Sequence, residues 1–230
     1  PLTTGINQCK LSTLKRPYNT TLEFRRFYRA LSESKSFSVS ITVKSLIENS
    51  KTFDYKKQNP ALILAEKKGR KVLPTPVSFG IGGVNNFYFS HLLNCPFDCE
   101  YCFLQGLYQS AHHVLFVNYE DFMQDIQHTA AQHDAPCYFF SGYDGDSLAL
   151  DPVSGFLEAF LPFFETQPNA FLELRTKSAN VNALLKRPAI ENCIVAFSLN
   201  PTAIADQVEH KTASTAKRIR AMASVAQHGY

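Results

Sequence analysis

From residue 86 onward short apolar runs alternate with amphipathic stretches, and this alternation restricts the fold more than any other feature of the chain. Residues 86–93, 137–141, 171–176 and 194–199 read as strands, and 114–117 is a further short apolar run. Residues 118–133, 153–164, 179–186 and 212–228 read as helices. In the first of these helices Phe122, Ile126 and Ala130 share a face, with Asn118 as N-cap and Asp121 three residues on. Ile219, Met222 and Val225 run along the last. Strands and helices recurring every ~20–35 residues predict βαβ units and a parallel sheet. The expected class is α/β, a barrel or partial barrel whose ligand-binding rim lies at the carboxyl ends of the strands. The chain starts at Pro1 and stops directly after the last helix, which predicts a fragment whose barrel continues past Tyr230.

The first 58 residues are expected to form an appendage to a barrel spanning 59–230. Residues 1–50 are polar and Ser/Thr-rich, with a short helix plausible over 21–31. Residues 51–72 place Lys56, Lys57, Lys67, Lys68, Arg70 and Lys71 around the apolar run 61–65. That pattern fits a solvated face beside a short buried stretch, or else a patch that tracks phosphates. A net charge of +3 permits a polyanionic partner without requiring one. The 45% hydrophobic content supports a sizeable core, and 19% charged residues are too few for a disordered chain. Neither a secretory leader nor an apolar run of membrane-spanning length is visible, so a cytoplasmic protein with no membrane partner is the expectation.

Three of the six cysteines, Cys95, Cys99 and Cys102, fall within eight positions, directly after an expected strand. In a reducing compartment such a cluster reads as a metal site. Three thiolates spaced CxxxCxxC suit a [4Fe–4S] cluster, because each binds one iron corner and the fourth iron stays open where four cysteines would close it. The open iron can take the amino and carboxylate groups of S-adenosylmethionine (SAM), whose reductive cleavage gives a 5′-deoxyadenosyl radical. Tyr101, just before the third cysteine, can pack on the adenine. Two plainer readings compete. One is a zinc site of Cys₃His type recruiting His91, His112 or His113, as part of a nucleic-acid-binding module. The other is three unliganded thiols.

With those residues in view the chain resembles the radical SAM superfamily, and within it the spore photoproduct lyase family. The likeness covers residues 59–230. It includes CxxxCxYCFLQ at 95–105, LRTKSANVNALL at 174–185, FSLNP at 197–201 and KRIRAMASVAQHGY at 217–230. The resemblance implies a partial (β/α) barrel of radical SAM type, with Cys95, Cys99 and Cys102 as cluster ligands. It implies Lys177, Ser198 and, by position, Asn200 as SAM contacts; strand-end capping is the plain alternative for the last two. Ser141 and the following turn stand where the superfamily binds SAM's amino group, with Asp144 or Asp146 as its acceptor. A surface turn is the plain alternative there.

The implied reaction splits a methylene-bridged thymine dimer in DNA, with electrons from a donor such as flavodoxin or ferredoxin. Two positions depart from the family pattern. A hydrogen-returning cysteine is replaced by Tyr143, and a relay tyrosine after the third cluster cysteine by Phe103, whose ring has no O–H. Tyr143 and Tyr101 are therefore the candidate catalytic residues, since Cys137 lies ~20 Å down its strand. The departures leave open a radical SAM enzyme acting on another substrate.

Overall fold

A computed structural model describes residues 39–40 and 60–230, except Gln109. The helix expected over 21–31, and all of the 1–58 appendage but Val39 and Ser40, lie outside the described residues. In chain order the strands are β1 (Val39–Ser40), β2 (Leu62–Ala65), β3 (Val72–Pro74), β4 (Asn85–Phe89), β5 (Leu92–Leu93), β6 (Asp98–Cys99), β7 (His113–Phe116), β8 (Cys137–Phe140), β9 (Ala170–Thr176), β10 (Cys193–Phe197) and β11 (Glu209–His210). The helices are α1 (Leu104–Leu107), α2 (Tyr119–Ala130), α3 (Asp151–Ser154), α4 (Phe156–Glu165), α5 (Asn182–Leu185), α6 (Thr202–Val208) and α7 (Thr215–Gln227). None is long and apolar enough to cross a membrane.

The architecture is α/β, but its sheets are mixed rather than all parallel as expected. Five strands run in the order β10-β9-β8-β4-β3; the first four are parallel and the edge strand β3 is antiparallel. A second sheet, β1-β2-β7-β5, is parallel except for β5, and β11 pairs antiparallel with β6. The single strand expected over 86–93 divides between the two large sheets. The chain leaves β4 at Ser90-His91 and enters β5, while His91 O accepts from Phe116 N on β7 at 2.9 Å. Antiparallel additions arise where a short connection or hairpin returns the chain, which apolar periodicity does not report.

One face of the five-stranded sheet carries Phe89, Phe139, Leu172 and Leu174 and is covered by α2 and α4. Tyr119, Phe122, Ile126 and Ala130 supply the buried stripe of α2, as their spacing predicts. Phe156, Phe160 and Phe164 do the same on α4, with Phe89 and Phe160 stacked at 5.4 Å between centroids. The helix expected over 153–164 is in fact two, because Gly155 takes a left-handed φ of 62° that ends α3 and starts α4. Asn118 precedes α2 but does not cap it. Its side chain clamps Lys67 instead, accepting from Lys67 N at 2.9 Å and donating to Lys67 O at 3.1 Å. Of the run 61–65, Leu62–Ala65 is buried as β2, and Lys71 is spent on α2, where its backbone meets Asp125 and its ammonium lies 3.8 Å from Asp121.

On α7 the buried stripe is Thr215, Arg218, Ala221 and Val225; Ile219 and Met222 face outward. A fully buried arginine takes the place that the apolar reading gave to those two residues.

Candidate active site

The carboxyl ends of β4, β8, β9 and β10 point to one rim, and the cysteine loop lies across it. Asn94 adopts a left-handed φ of 70°, tolerable for asparagine, and starts the loop by donating its backbone N–H to Asp144 O at 3.1 Å. Cys99 lies in β6 opposite Glu209, and Cys102 N donates to Cys99 O at 3.1 Å. All three thiols are free. Burial, then Asp146 and the other two thiols, push the Cys95 pKa up. Burial pushes Cys99 up to about 11 against the opposing pull of Lys177. Cys95 thus feels both other thiols, and Cys99 feels Cys102. Thiols raised in the way of Cys95 and Cys99 stay protonated at neutral pH until a cation takes them as thiolates.

Among the described residues, no three His, Cys, Asp or Glu side chains are arranged to hold one metal ion. A cubane makes no such demand, because each cysteine binds its own iron. Of the histidines named for a zinc site, His91 stacks on Phe156 in the core at 3.9 Å, where burial lowers its pKa to about 3, and His112 Nδ1 accepts from Ala61 N, while His113 is half-buried in β7 with its Nδ1 unpartnered. The donor set of three clustered thiols therefore fits a cluster with one open corner better than a Cys₃His zinc ion.

Around the loop the structure gathers most of the residues the sequence singled out. Lys177, one step past β9, lies 5.5 Å from the Tyr101 ring centroid and acts on Cys99. Asn200, past β10, donates through Nδ2 to Tyr101 Oη at 3.1 Å and to Glu209 Oε1 at 2.7 Å. The Tyr101 hydroxyl donates to the same carboxylate, and its pKa is raised by burial and by that bond. Ser198 continues the strand ladder, its N–H donating to Thr176 O at 2.9 Å.

Asp146 is buried with both oxygens occupied. Oδ1 accepts from Leu148 N, Ala149 N and Thr176 Oγ1, and Oδ2 from Lys177 N at 2.6 Å, so this acid fixes the backbone from which Lys177 projects. The Ser141 hydroxyl is engaged by Ser147 Oγ at 2.8 Å and Glu173 O at 3.0 Å. At Gly142 a Cβ would come within 2.8 Å of Ser147 Oγ and 3.0 Å of Arg175 O, so only glycine fits between these strand ends. Asp144 is bonded by Ser90 Oγ and Tyr108.

Tyr143 stands in an aromatic group: its ring stacks on Tyr88 at 4.2 Å, meets Phe79 edge-on at 5.4 Å and lies 6.3 Å from Phe103. The two positions expected to depart from the family pattern are thus neighbours. Cys137 is fully buried at the opposite end of β8.

Sequence reasoning missed Glu209 and Arg218. Arg218 Nη2 donates to Glu209 Oε2, its Nη1 to Ser198 O at 2.6 Å and its Nε to Ala213 O at 2.9 Å. A signal was available, since position 218 falls on the helical stripe of Thr215, Ala221 and Val225, where a charge demands a buried partner.

Comparison with known proteins now adds a family. The family model described as spore photoproduct lyase matches residues 87–230. The chain belongs to the spore photoproduct lyase family. A curated spore photoproduct lyase of Clostridium acetobutylicum is 23% identical over 147 residues, covering 63% of this chain and 44% of the relative. A solved cysteine-to-alanine variant of spore photoproduct lyase superposes with a TM-score of 0.75 at 18% identity, over 93% of this chain and 63% of that one. A double variant with bound AdoMet and dinucleoside spore photoproduct gives 0.72 at 18% identity, with the same coverages. At these identities the solved structures establish the fold. The chain spans about half to two thirds of the length of these members of the spore photoproduct lyase family.

Proposed function

We propose that this chain is part of a radical SAM enzyme of the photoproduct-lyase type, which cleaves SAM reductively and repairs a pyrimidine lesion in DNA. The observation that carries the reading is the convergence of Lys177 and Asn200, from the ends of two separate strands, on Tyr101 in the Cys99 segment. Cys95, Cys99 and Cys102 would hold the [4Fe–4S] cluster. When bound, cluster and SAM supply a 5′-deoxyadenosyl radical that removes hydrogen from substrate. Lys177 offers a cation to SAM's carboxylate, and the Tyr101 ring a face for adenine. Ser198 and Asn200 offer polar groups to the ribose, and Asp144 and Ser141 a carboxylate and a hydroxyl to the amino group. Asp146 acts from behind, through Lys177.

Tyr143 is the hydrogen donor of this reading, because its ring lies on the open rim while the Tyr101 hydroxyl is tied to Glu209. It gives one hydrogen atom to the product radical and becomes a neutral phenoxyl, restored by one electron and one proton from the external donor. The aromatic group of Tyr143, Tyr88, Phe79 and Phe103 offers stacking faces to a base held out of the helix. The solved relatives carry a dinucleoside spore photoproduct, which supports a DNA lesion as substrate. A small soluble donor of the flavodoxin or ferredoxin type would supply electrons, and the reading places the protein in the cytoplasm.

Reconstituted full-length protein is expected to hold about four irons with sulfide. With SAM, reductant and DNA bearing the methylene-bridged dimer, it should form 5′-deoxyadenosine and restore the two thymines within the strand. The adjacent replacements at Phe103 and Tyr143 favour one second reading, the same radical step on another substrate. 5′-Deoxyadenosine without thymine recovery would select it, and one zinc per chain in place of iron would remove both.

A further inference from the structure

We infer that Glu209 is a positioning residue for SAM, acting through Tyr101, Asn200 and Lys177; the inference rests on the reading that these three residues face SAM. Its side chain is wholly buried, yet its two oxygens have separate duties. Oε2 takes the Arg218 guanidinium. Oε1 takes the Tyr101 phenol and the Asn200 amide, and has the Lys177 ammonium at 3.9 Å. These partners come from the cysteine loop, the end of β10 and the end of β9.

A pair built only for the fold would close as a two-pronged fork, both carboxylate oxygens on one guanidinium. Arg218 instead gives Glu209 one nitrogen and sends the other two to Ser198 O and Ala213 O, which fixes Glu209 and leaves Oε1 turned to the rim. The ladder β6–β11 sets Glu209 opposite Cys99, and Glu100 N donates to Val208 O at 2.9 Å, so the anchor moves with the cysteine loop. Three side chains with free rotors are thereby ordered before SAM arrives, and ordering them beforehand removes that entropy from the binding step.

The test separates a fold role from a positioning role. Glu209→Leu together with Arg218→Met removes both buried charges, so no unpaired ion remains. The double variant and the wild type are compared in the full chain by melting of the cluster-free protein, iron content, SAM affinity, and the electron paramagnetic resonance of the reduced cluster with and without SAM. The expected result is near wild-type melting and iron, with SAM bound roughly tenfold or more weakly and a smaller SAM-induced spectral change. Wild-type SAM affinity at wild-type melting would overturn the inference and make the pair structural.

Should the double variant fail to fold, Glu209→Gln and Asn200→Ala are measured singly and together. Losses of SAM affinity that fall short of adding support action through Asn200, and full additivity overturns it. A wild-type protein whose spectrum ignores SAM would remove the underlying reading, and the inference with it.

Discussion

The two halves of the rim are built on different physics. On the cysteine side, Tyr101, Lys177, Asn200 and Arg218 are tied to one buried carboxylate by hydrogen bonds and charge. On the other, Tyr143, Tyr88, Phe79 and Phe103 meet face to face and edge to face. Each half holds a buried acid, and the acids are treated oppositely. Bonds to three partners pull Glu209 below the usual carboxylate range. Glu173, in the same row of the sheet as Tyr88 and Phe140, is raised by burial against the opposing counter-charge of Arg175. Directional bonding fixes atoms, which suits a cofactor of constant shape. Stacking tolerates exchange of one ring for another, which suits the half where the sequence predicts departures from the family pattern.

The largest effect should come from Cys99→Ala on the cysteine side. Loss of cluster iron and of 5′-deoxyadenosine formation to background is expected, with little change in the melting of the cluster-free protein. Iron retained at the wild-type level would break the contrast at its root. Next is Arg218→Met, which strips the buried Glu209 Oε2 of its guanidinium partner. About 3–5 kcal/mol should be lost in denaturant unfolding, whereas Tyr143→Phe in the other half should cost less than about 1 kcal/mol because the stacked ring stays.

Tyr143→Phe sharpens the comparison in activity instead. Formation of 5′-deoxyadenosine should continue while recovery of intact thymines in the strand falls by roughly tenfold or more, as expected when a positioned hydrogen donor is removed. Equal loss of both products would mean that Tyr143 serves SAM.

The smallest effect concerns Glu173. Its native pKa lies above the unfolded value, so the folded state binds the extra proton. Stability is then fully present below about pH 4.5 and is lost as pH rises through the native value. Glu173→Gln should raise stability at pH 7 by on the order of 1 kcal/mol and change little at pH 4, read by thermal melting. No gain at pH 7 would mean that Arg175 fully offsets the burial.

The cysteine triad, the stripe Phe122, Ile126 and Ala130, and the strands that end before Ser141, Lys177 and Ser198 were legible because each depends on near neighbours in the chain. The same local pattern hid the left-handed Gly155 that divides α3 from α4, and the bend at Ser90-His91 that sends one apolar run into two sheets. It also put Ile219 and Met222 on the inner face of α7, where the structure has Arg218.

What the sequence determined by itself was the cysteine triad and the α/β alternation, because three thiols in eight positions and periods of 2 and 3.6 are short-range facts. Tertiary structure alone decided that Tyr101, Lys177, Asn200 and Arg218 meet at Glu209, and that Tyr143 adjoins Phe103. Those contacts join segments tens to more than a hundred residues apart. They depend on sheet order and strand register, which the buried faces of many elements settle together and no single segment encodes.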